Sequence, residues 1–173
     1  KKVFHLIDSG LNIENYCSDG DFLKSNQSLI KIEGSTISIL KAERVALNFL
    51  QRMCGISSLT TSFIKKSSRS DLLVLDTRKT TPNLRLLEKN AVRKGGGYNH
   101  RYNLSDEVLI KENHFKSETS LRNIIKKSLK TKKKVTVEIE NLRQLNNVLG
   151  LKFNRIFFDN VSLAQLKKYL KIC

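Results

Sequence analysis

From Asp71 to Cys173 the chain alternates short apolar runs with helical segments, and this alternation constrains the fold more than any other feature. Leu72–Leu75, Glu107–Ile110, Val135–Ile139 and Arg155–Phe158 read as strands. Leu84–Lys94, Thr119–Lys130, Leu142–Leu149 and Leu163–Lys171 carry the three- and four-residue apolar spacing of helices. Parallel strands need a long crossover, and a helix supplies it, so the pattern predicts a parallel sheet with packed helices. Asn141 with Gln144, and Ser162 with Gln165, have the spacing of capping boxes at two helix starts. Gly95-Gly96-Gly97 stops the first of these helices and reads as a close-packing turn rather than a phosphate cradle.

The first seventy residues lack this alternation, which places a domain boundary near residue 70. Val3–Ile7, Asn12–Tyr16 and Ser28–Glu33 read as short strands separated by turn residues such as Asp8-Ser9-Gly10 and Ser18-Asp19-Gly20. Asp19–Lys24 is a structural turn, not a carrier-protein hairpin, because no lysine stands at a tip. Ala42, Val45, Ala46, Phe49, Leu50 and Met53 define one apolar helix face within Leu40–Lys66. Gly55 is expected to interrupt that helix, with a second one starting at Ser57 or Ser58. The opposite face carries Lys41, Arg44, Asn48 and Arg52.

Each strand of the alternating region runs straight into charged residues. Leu75 is followed by Asp76-Thr77-Arg78-Lys79, Ile110 by Lys111, Ile139 by Glu140, and Phe158 by Asp159. In an α/β barrel the C-terminal strand ends form one rim where reacting groups collect. A basic arc of Arg78, Lys79 and Lys111 and an acidic pair, Glu140 and Asp159, are therefore expected to line one cavity. Guanidinium and ammonium groups suit a small polyanion. Carboxylates suit a forming sugar cation, ribose hydroxyls or a magnesium ion carrying pyrophosphate. His100 and His114 are too few and too poorly spaced for a metal site.

Charge bears on the partner. There are 32 Lys and Arg against 16 Asp and Glu, a net charge of +16, which raises nucleic acid as a partner before small anions. Twenty-two of the cations are lysines, many of them on predicted helix surfaces, and the Lys126–Lys134 cluster has no interleaved aromatics to stack on bases. The three cysteines, Cys17, Cys54 and Cys173, lack CxxC spacing, so a reducing, cytoplasmic setting is expected. No run is long enough for a membrane span, and no secretory signal is expected from Val3–Ile7.

Several segments together resemble the quinolinate phosphoribosyltransferase family. They are Glu43–Arg52, Asp76–Pro82 with Leu84-Arg85 and Glu88–Val92, Gly95–Arg101, Leu109–His114, Val137–Leu142 and Phe158–Asn160. The resemblance implies an N-terminal α/β domain (residues 1–70) followed by an incomplete α/β barrel (71–173). The family chain is longer at both ends, so both domains are expected to be partial here and the barrel to lack its last strands. It also implies phosphoribosyl transfer from phosphoribosyl pyrophosphate to quinolinate with decarboxylation, Mg2+ as cofactor, and a homodimer or larger assembly with shared sites. Carried over by position, Arg78, Lys79, His100, Arg101 and Lys111 would line the quinolinate pocket, with Thr77 at the same strand end. Arg44 would reach a partner's site. Glu140 and Asp159 would face the ribose, its developing cation or the magnesium. The catalytic set is then Lys79, Lys111, Glu140 and Asp159. Two alternatives stand beside this: a related barrel acting on another aromatic acid, and a basic nucleic-acid-binding module.

Overall fold

The computed structural model describes every residue except 68, 70, 112 and 115–119. Two compact units emerge, Lys1–His100 and Arg101–Cys173. The division expected at residue 70 and the helix start expected at Thr119 fall on residues outside this description. The first unit extends to His100 because α3 (Arg85–Lys94) packs against α2 (Thr36–Ser67), and Leu75 bridges Tyr98 within it.

The first unit opens with α1 (Lys2–Ile7), where a strand was expected. A run of five residues fits either period, and only Phe4 is buried, so a single anchored side chain decides the outcome. Next come β1 (Asn12–Asn15) and β2 (Ile30–Glu33), which pair antiparallel with Ile13 opposite Ile32. Phe4, Leu11 and Ala42 form a small core with Ile13, Ile32 and Ile39 packed on it.

Helix α2 is continuous over 32 residues and passes through Gly55 without a break, contrary to the expected interruption. A glycine costs about 1 kcal/mol relative to alanine in a helix, and the packing of α1 and α3 on α2 outweighs that. The helix also starts before the apolar pattern does. The Ser35 carbonyl accepts from the Ile39 amide at 3.0 Å and its hydroxyl from the Ser38 amide at 3.5 Å. Ala42 and Thr60 are the buried positions of α2 in this chain, whereas Val45, Phe49 and Leu50, expected to face inward, are exposed.

Leu72–Leu75 forms no full strand. Its ladder shrinks to one parallel bridge, with the Tyr98 amide donating to Val74 at 2.8 Å and the Asp76 amide to Tyr98 at 3.1 Å. The run finds its pairing partner at Tyr98, just beyond the glycine triplet. Gly95 is required there because a Cβ would collide with the Ser57 carbonyl of α2 and with Thr60. The triplet is thus a packing turn, as its sequence implies.

The second unit is an open three-stranded parallel sheet of β3 (Glu107–Ile110), β4 (Lys134–Ile139) and β5 (Arg155–Phe158), in that order. Helices α4 (Leu121–Leu129), α5 (Leu142–Val148) and α6 (Leu163–Ile172) complete it. Val135, Val137 and Ile139 of the central strand are fully buried together with Ile110, Leu145 and Val148. Each such side chain contributes about 1.5–3 kcal/mol of burial. The Ser162–Gln165 capping box forms completely at α6. At α5 the Asn141 side chain accepts from the Gln144 amide, but Gln144 accepts in return from the Glu140 amide, one residue earlier than a capping box requires.

Candidate active site

In the first unit the charged segment after Leu75 is held along its length by one face of α3. Arg85, Glu88 and Lys89 lie at i, i+3 and i+4, the spacing that puts helical side chains together. Arg85 donates to Thr80 Oγ1 at 3.1 Å and to the Arg78 carbonyl at 3.3 Å. Glu88 accepts from the Thr81 amide at 3.3 Å and from Arg52 Nη2 at 2.6 Å. Arg52, reaching over from α2, also bonds the Thr81 hydroxyl. Lys89 is fully buried, with its ammonium 2.5 Å from Asp76 Oδ1. The same oxygen accepts the His100 amide at 2.8 Å. Burial alone would raise the Glu88 pKa, but Arg52 and the Thr81 hydroxyl and amide together hold it below the ordinary glutamate value.

This scaffold presents Thr77, Arg78 and Lys79. The Thr77 hydroxyl accepts the Lys79 amide at 3.1 Å and so tightens the turn between them. Lys79 is exposed. Arg78 is half-buried, and its Nε is shielded from solvent with no hydrogen-bond partner among the described residues. A guanidinium nitrogen left unsatisfied is a donor waiting for an acceptor. A shallow recess of about 300 Å³, lined by Thr80, Thr81, Pro82, Asn83, Arg85 and Leu86, adjoins this segment without containing Arg78 or Lys79.

In the second unit the strand register builds the charged rim. Ile110 stands opposite Val137, so the next residue, Lys111, meets Glu138. Its ammonium lies 3.1 Å from Glu138 Oε2. Ile139 stands opposite Phe158, so Glu140 comes beside Asp159. Carboxylate oxygens of Glu138, Glu140 and Asp159 all lie within 4.8 Å of one another. The Asp159 carboxylate also accepts from Asn160 Nδ2 at 3.4 Å. Three clustered carboxylate oxygens are the donor chemistry of a hard divalent cation, which fits magnesium.

Of the residues singled out by sequence, Thr77, Arg78 and Lys79 share one turn, and Lys111, Glu140 and Asp159 share one sheet edge. Arg101 behaves differently: its Nη1 donates to the Glu107 carbonyl at 3.2 Å, at the opposite end of β3 from Lys111. Arg44 lies exposed on α2 with no hydrogen bond or ion pair to the described residues. Asp76, Glu88, Lys89, Arg52 and Glu138 were not singled out. Glu138 was signalled by its two-residue offset from Glu140, which puts both on one face of a strand. Arg85, Glu88 and Lys89 were signalled by their helical spacing.

A turn of cations held by an adjacent helix in the first unit, and an open parallel sheet edged with a lysine and carboxylates in the second, define an α/β protein of the incomplete-barrel class. Comparison with known proteins narrows the class. The N-terminal domain of quinolinate phosphoribosyl transferase matches residues 1–54, and its C-terminal domain matches residues 56–173. The chain belongs to the quinolinate phosphoribosyl transferase family.

Among its relatives, a probable nicotinate-nucleotide pyrophosphorylase [carboxylating] of Bacillus subtilis is 35% identical over 99% of this chain and 61% of its own length. A chloroplastic nicotinate-nucleotide pyrophosphorylase [carboxylating] of Arabidopsis thaliana is 37% identical over 92% of this chain and 49% of its own. Among solved structures, NadC from Streptococcus pyogenes superposes with a TM-score of 0.87 at 42% identity, covering 99% of this chain and 62% of that one. The nicotinate-nucleotide pyrophosphorylase from Francisella tularensis gives 0.91 at 37% identity, with coverage of 99% and 62%. The chain therefore spans about three fifths or less of the length of these relatives. Among the described residues, no helix is long and apolar enough to cross a membrane.

Proposed function

We propose that the full gene product transfers the phosphoribosyl group of phosphoribosyl pyrophosphate to the ring nitrogen of quinolinate. Carbon dioxide and pyrophosphate are released and nicotinate mononucleotide is formed for NAD biosynthesis. The observation that carries this reading is the rim of β3–β5, where Lys111 and the Glu138, Glu140 and Asp159 carboxylates stand side by side. Family membership supplies the substrate class.

In this reading Arg78, Lys79, His100 and Lys111 take the two quinolinate carboxylates, with Thr77 adding a hydroxyl, and Arg101 joins them on releasing the Glu107 carbonyl. Arg78 Nε, unsatisfied among the described residues, is available for a carboxylate oxygen. The bond from ribose C1 to pyrophosphate breaks as the ring nitrogen lone pair forms the new N–C1 bond. Positive charge grows on C1 during this exchange, and the fixed charges of Glu140 and Asp159 stabilise it. The ribosylated ring is then cationic. When the 2-carboxylate leaves as carbon dioxide, the electron pair stays on C2 beside that cation until C2 takes a proton. Lys79 and Lys111 act as the catalytic cations of the diacid pocket. Magnesium, brought with phosphoribosyl pyrophosphate, would be held through Glu140 and Asp159 and would neutralise charge on the departing pyrophosphate.

A homodimer or larger assembly with shared sites belongs to the same proposal. Exposed Ile37, Leu40, Val45 and Phe63 on α2, together with Arg44, which engages none of the described residues, support a partner seated on that helix. The three free thiols suit a reducing, cytoplasmic compartment.

The test supplies the full gene product with quinolinate, phosphoribosyl pyrophosphate and magnesium and follows carbon dioxide and nicotinate mononucleotide. Arg78→Ala and Lys111→Ala are each expected to lower turnover by about a hundredfold. Normal turnover in either variant overturns the site assignment. Calorimetric titration separates the neighbouring reading: tighter binding of nicotinate than of quinolinate would make this a barrel for another aromatic acid.

A further inference from the structure

The buried Lys89–Asp76 pair has no place in the chemistry just described, yet it is the most completely enclosed charge in the first unit. Lys89 is 0% exposed and its partner carboxylate 6%. A buried ion pair is a poor way to gain stability, since apolar residues of the same volume usually do as well. What it offers instead is fixed geometry. Asp76 Oδ1 receives two donors, Lys89 Nζ at 2.5 Å and the His100 amide at 2.8 Å. The residues beside those contacts are Thr77-Arg78-Lys79 on one side and His100 itself on the other. Lys89 sits on the regular backbone of α3, one turn beyond Arg85, which grips the carbonyl of Arg78. One carboxylate thus ties two chain segments to each other and both to a helix.

We propose that Lys89, acting through Asp76, is a positioning residue that sets the spacing between the Arg78–Lys79 turn and His100, and with it the fit to a small aromatic dicarboxylate. The inference rests on the quinolinate reading above for the identity of the ligand, but the tie itself stands on the contacts of Asp76. Lys89 does not touch the ligand. Its ammonium lies against the same Asp76 oxygen that the His100 amide uses, so losing it loosens the hold on both segments.

Steady-state kinetics of Lys89→Met in the full gene product test the proposal. Loss of positioning raises the KM for quinolinate by about tenfold or more, while the KM for phosphoribosyl pyrophosphate changes by less than about threefold. Lys89→Arg, which keeps a buried cation, recovers most of the affinity. A purely structural role gives another pattern: a smaller active fraction, a lower apparent kcat and a quinolinate KM within about twofold of the parent. That pattern overturns the proposal. If Lys89→Met does not fold, the double variant Asp76→Asn/Lys89→Met removes both charges of this pair together and is expected to show the same rise in KM.

Amide exchange keeps the inference separate from the assigned activity. In Lys89→Met, exchange in residues 76–80 and at His100 is expected to quicken by about tenfold or more while the α3 amides stay protected. Uniform quickening, or none, sinks the positioning role even if quinolinate is the substrate. Local quickening in a protein that does not turn over quinolinate leaves the tie standing and removes only the ligand.

Discussion

At the scale of single residues, the charged groups of the first unit divide into those that hold and those that are held. Arg52, Arg85, Glu88 and Lys89 spend their hydrogen bonds on the chain, whereas the Nε of Arg78 has none among the described residues. Glu88 gives this division a measurable signature. Its pKa lies below the ordinary glutamate value, so the unfolded chain binds more protons as the solution is acidified. The stability this yields is fully present above the unfolded value of about 4.3 and is lost as pH falls through the folded value. Glu88→Gln is expected to lower stability by about 1–3 kcal/mol at neutral pH and to flatten the acid limb of a denaturation profile. An unchanged acid limb would place the charge of Glu88 outside the stability of this unit. The sequence exposes the cations readily, because Arg78, Lys79 and Lys111 follow apolar runs. It does not expose the holders, since a buried lysine and a solvated one are the same letter, and only the Arg85, Glu88 and Lys89 spacing hints at the difference.

At the scale of elements, legibility follows how much of an element's stability is local. β3 and β5 have the bounds their sequences predict, and β4, α5 and α6 differ by a residue at an end. Their apolar periods and turn residues agree, and the cap at α6 forms in full. The misread elements are those decided by remote contacts. α1 is helical because Phe4 docks on the same core as Ala42, and α2 crosses Gly55 because neighbouring helices support it. Leu72–Leu75 is apolar enough for a strand but meets a partner at Tyr98 alone. Gly95 joins these elements, and the contact is testable. Gly95→Ala pushes a methyl group against the Ser57 carbonyl and Thr60 and is expected to cost about 1–3 kcal/mol. Gly55→Ala meets nothing within 4 Å and is expected to stabilise α2 by about 0.5–1 kcal/mol. Thermal denaturation of the two variants should move in opposite directions, and a shared direction would contradict the packing described here.

At the scale of the whole molecule, the charge of +16 looks different from its first impression. The cations of the strand ends point to a small dianion, and the lysines of Lys126–Lys134 are mostly a solvated surface. The full gene product is expected to show no mobility shift of RNA or DNA at about 150 mM salt. The proposed sharing of sites also has a direct test. Arg44→Ala and Lys111→Ala are each expected to be nearly inactive, but an equimolar mixture allowed to exchange subunits should recover about a quarter of parental activity, because half of its dimers then hold one intact site. No recovery would put Arg44 in the site of its own chain.

The parallel register of β3, β4 and β5 makes the rim a matter of parity. Glu138 and Glu140 share a face because they are two residues apart, and each meets its neighbour because the strands are aligned to the residue. Removing one residue of β4 other than Glu138 would keep every acidic side chain in the sequence and still scatter the cluster, since a slip by one turns each side chain to the other face. Substitutions along this sheet are graded by chemistry, but insertions and deletions are all-or-none. Among descendants of this chain, length in β4 should therefore be held more strictly than the identity of any apolar residue within it.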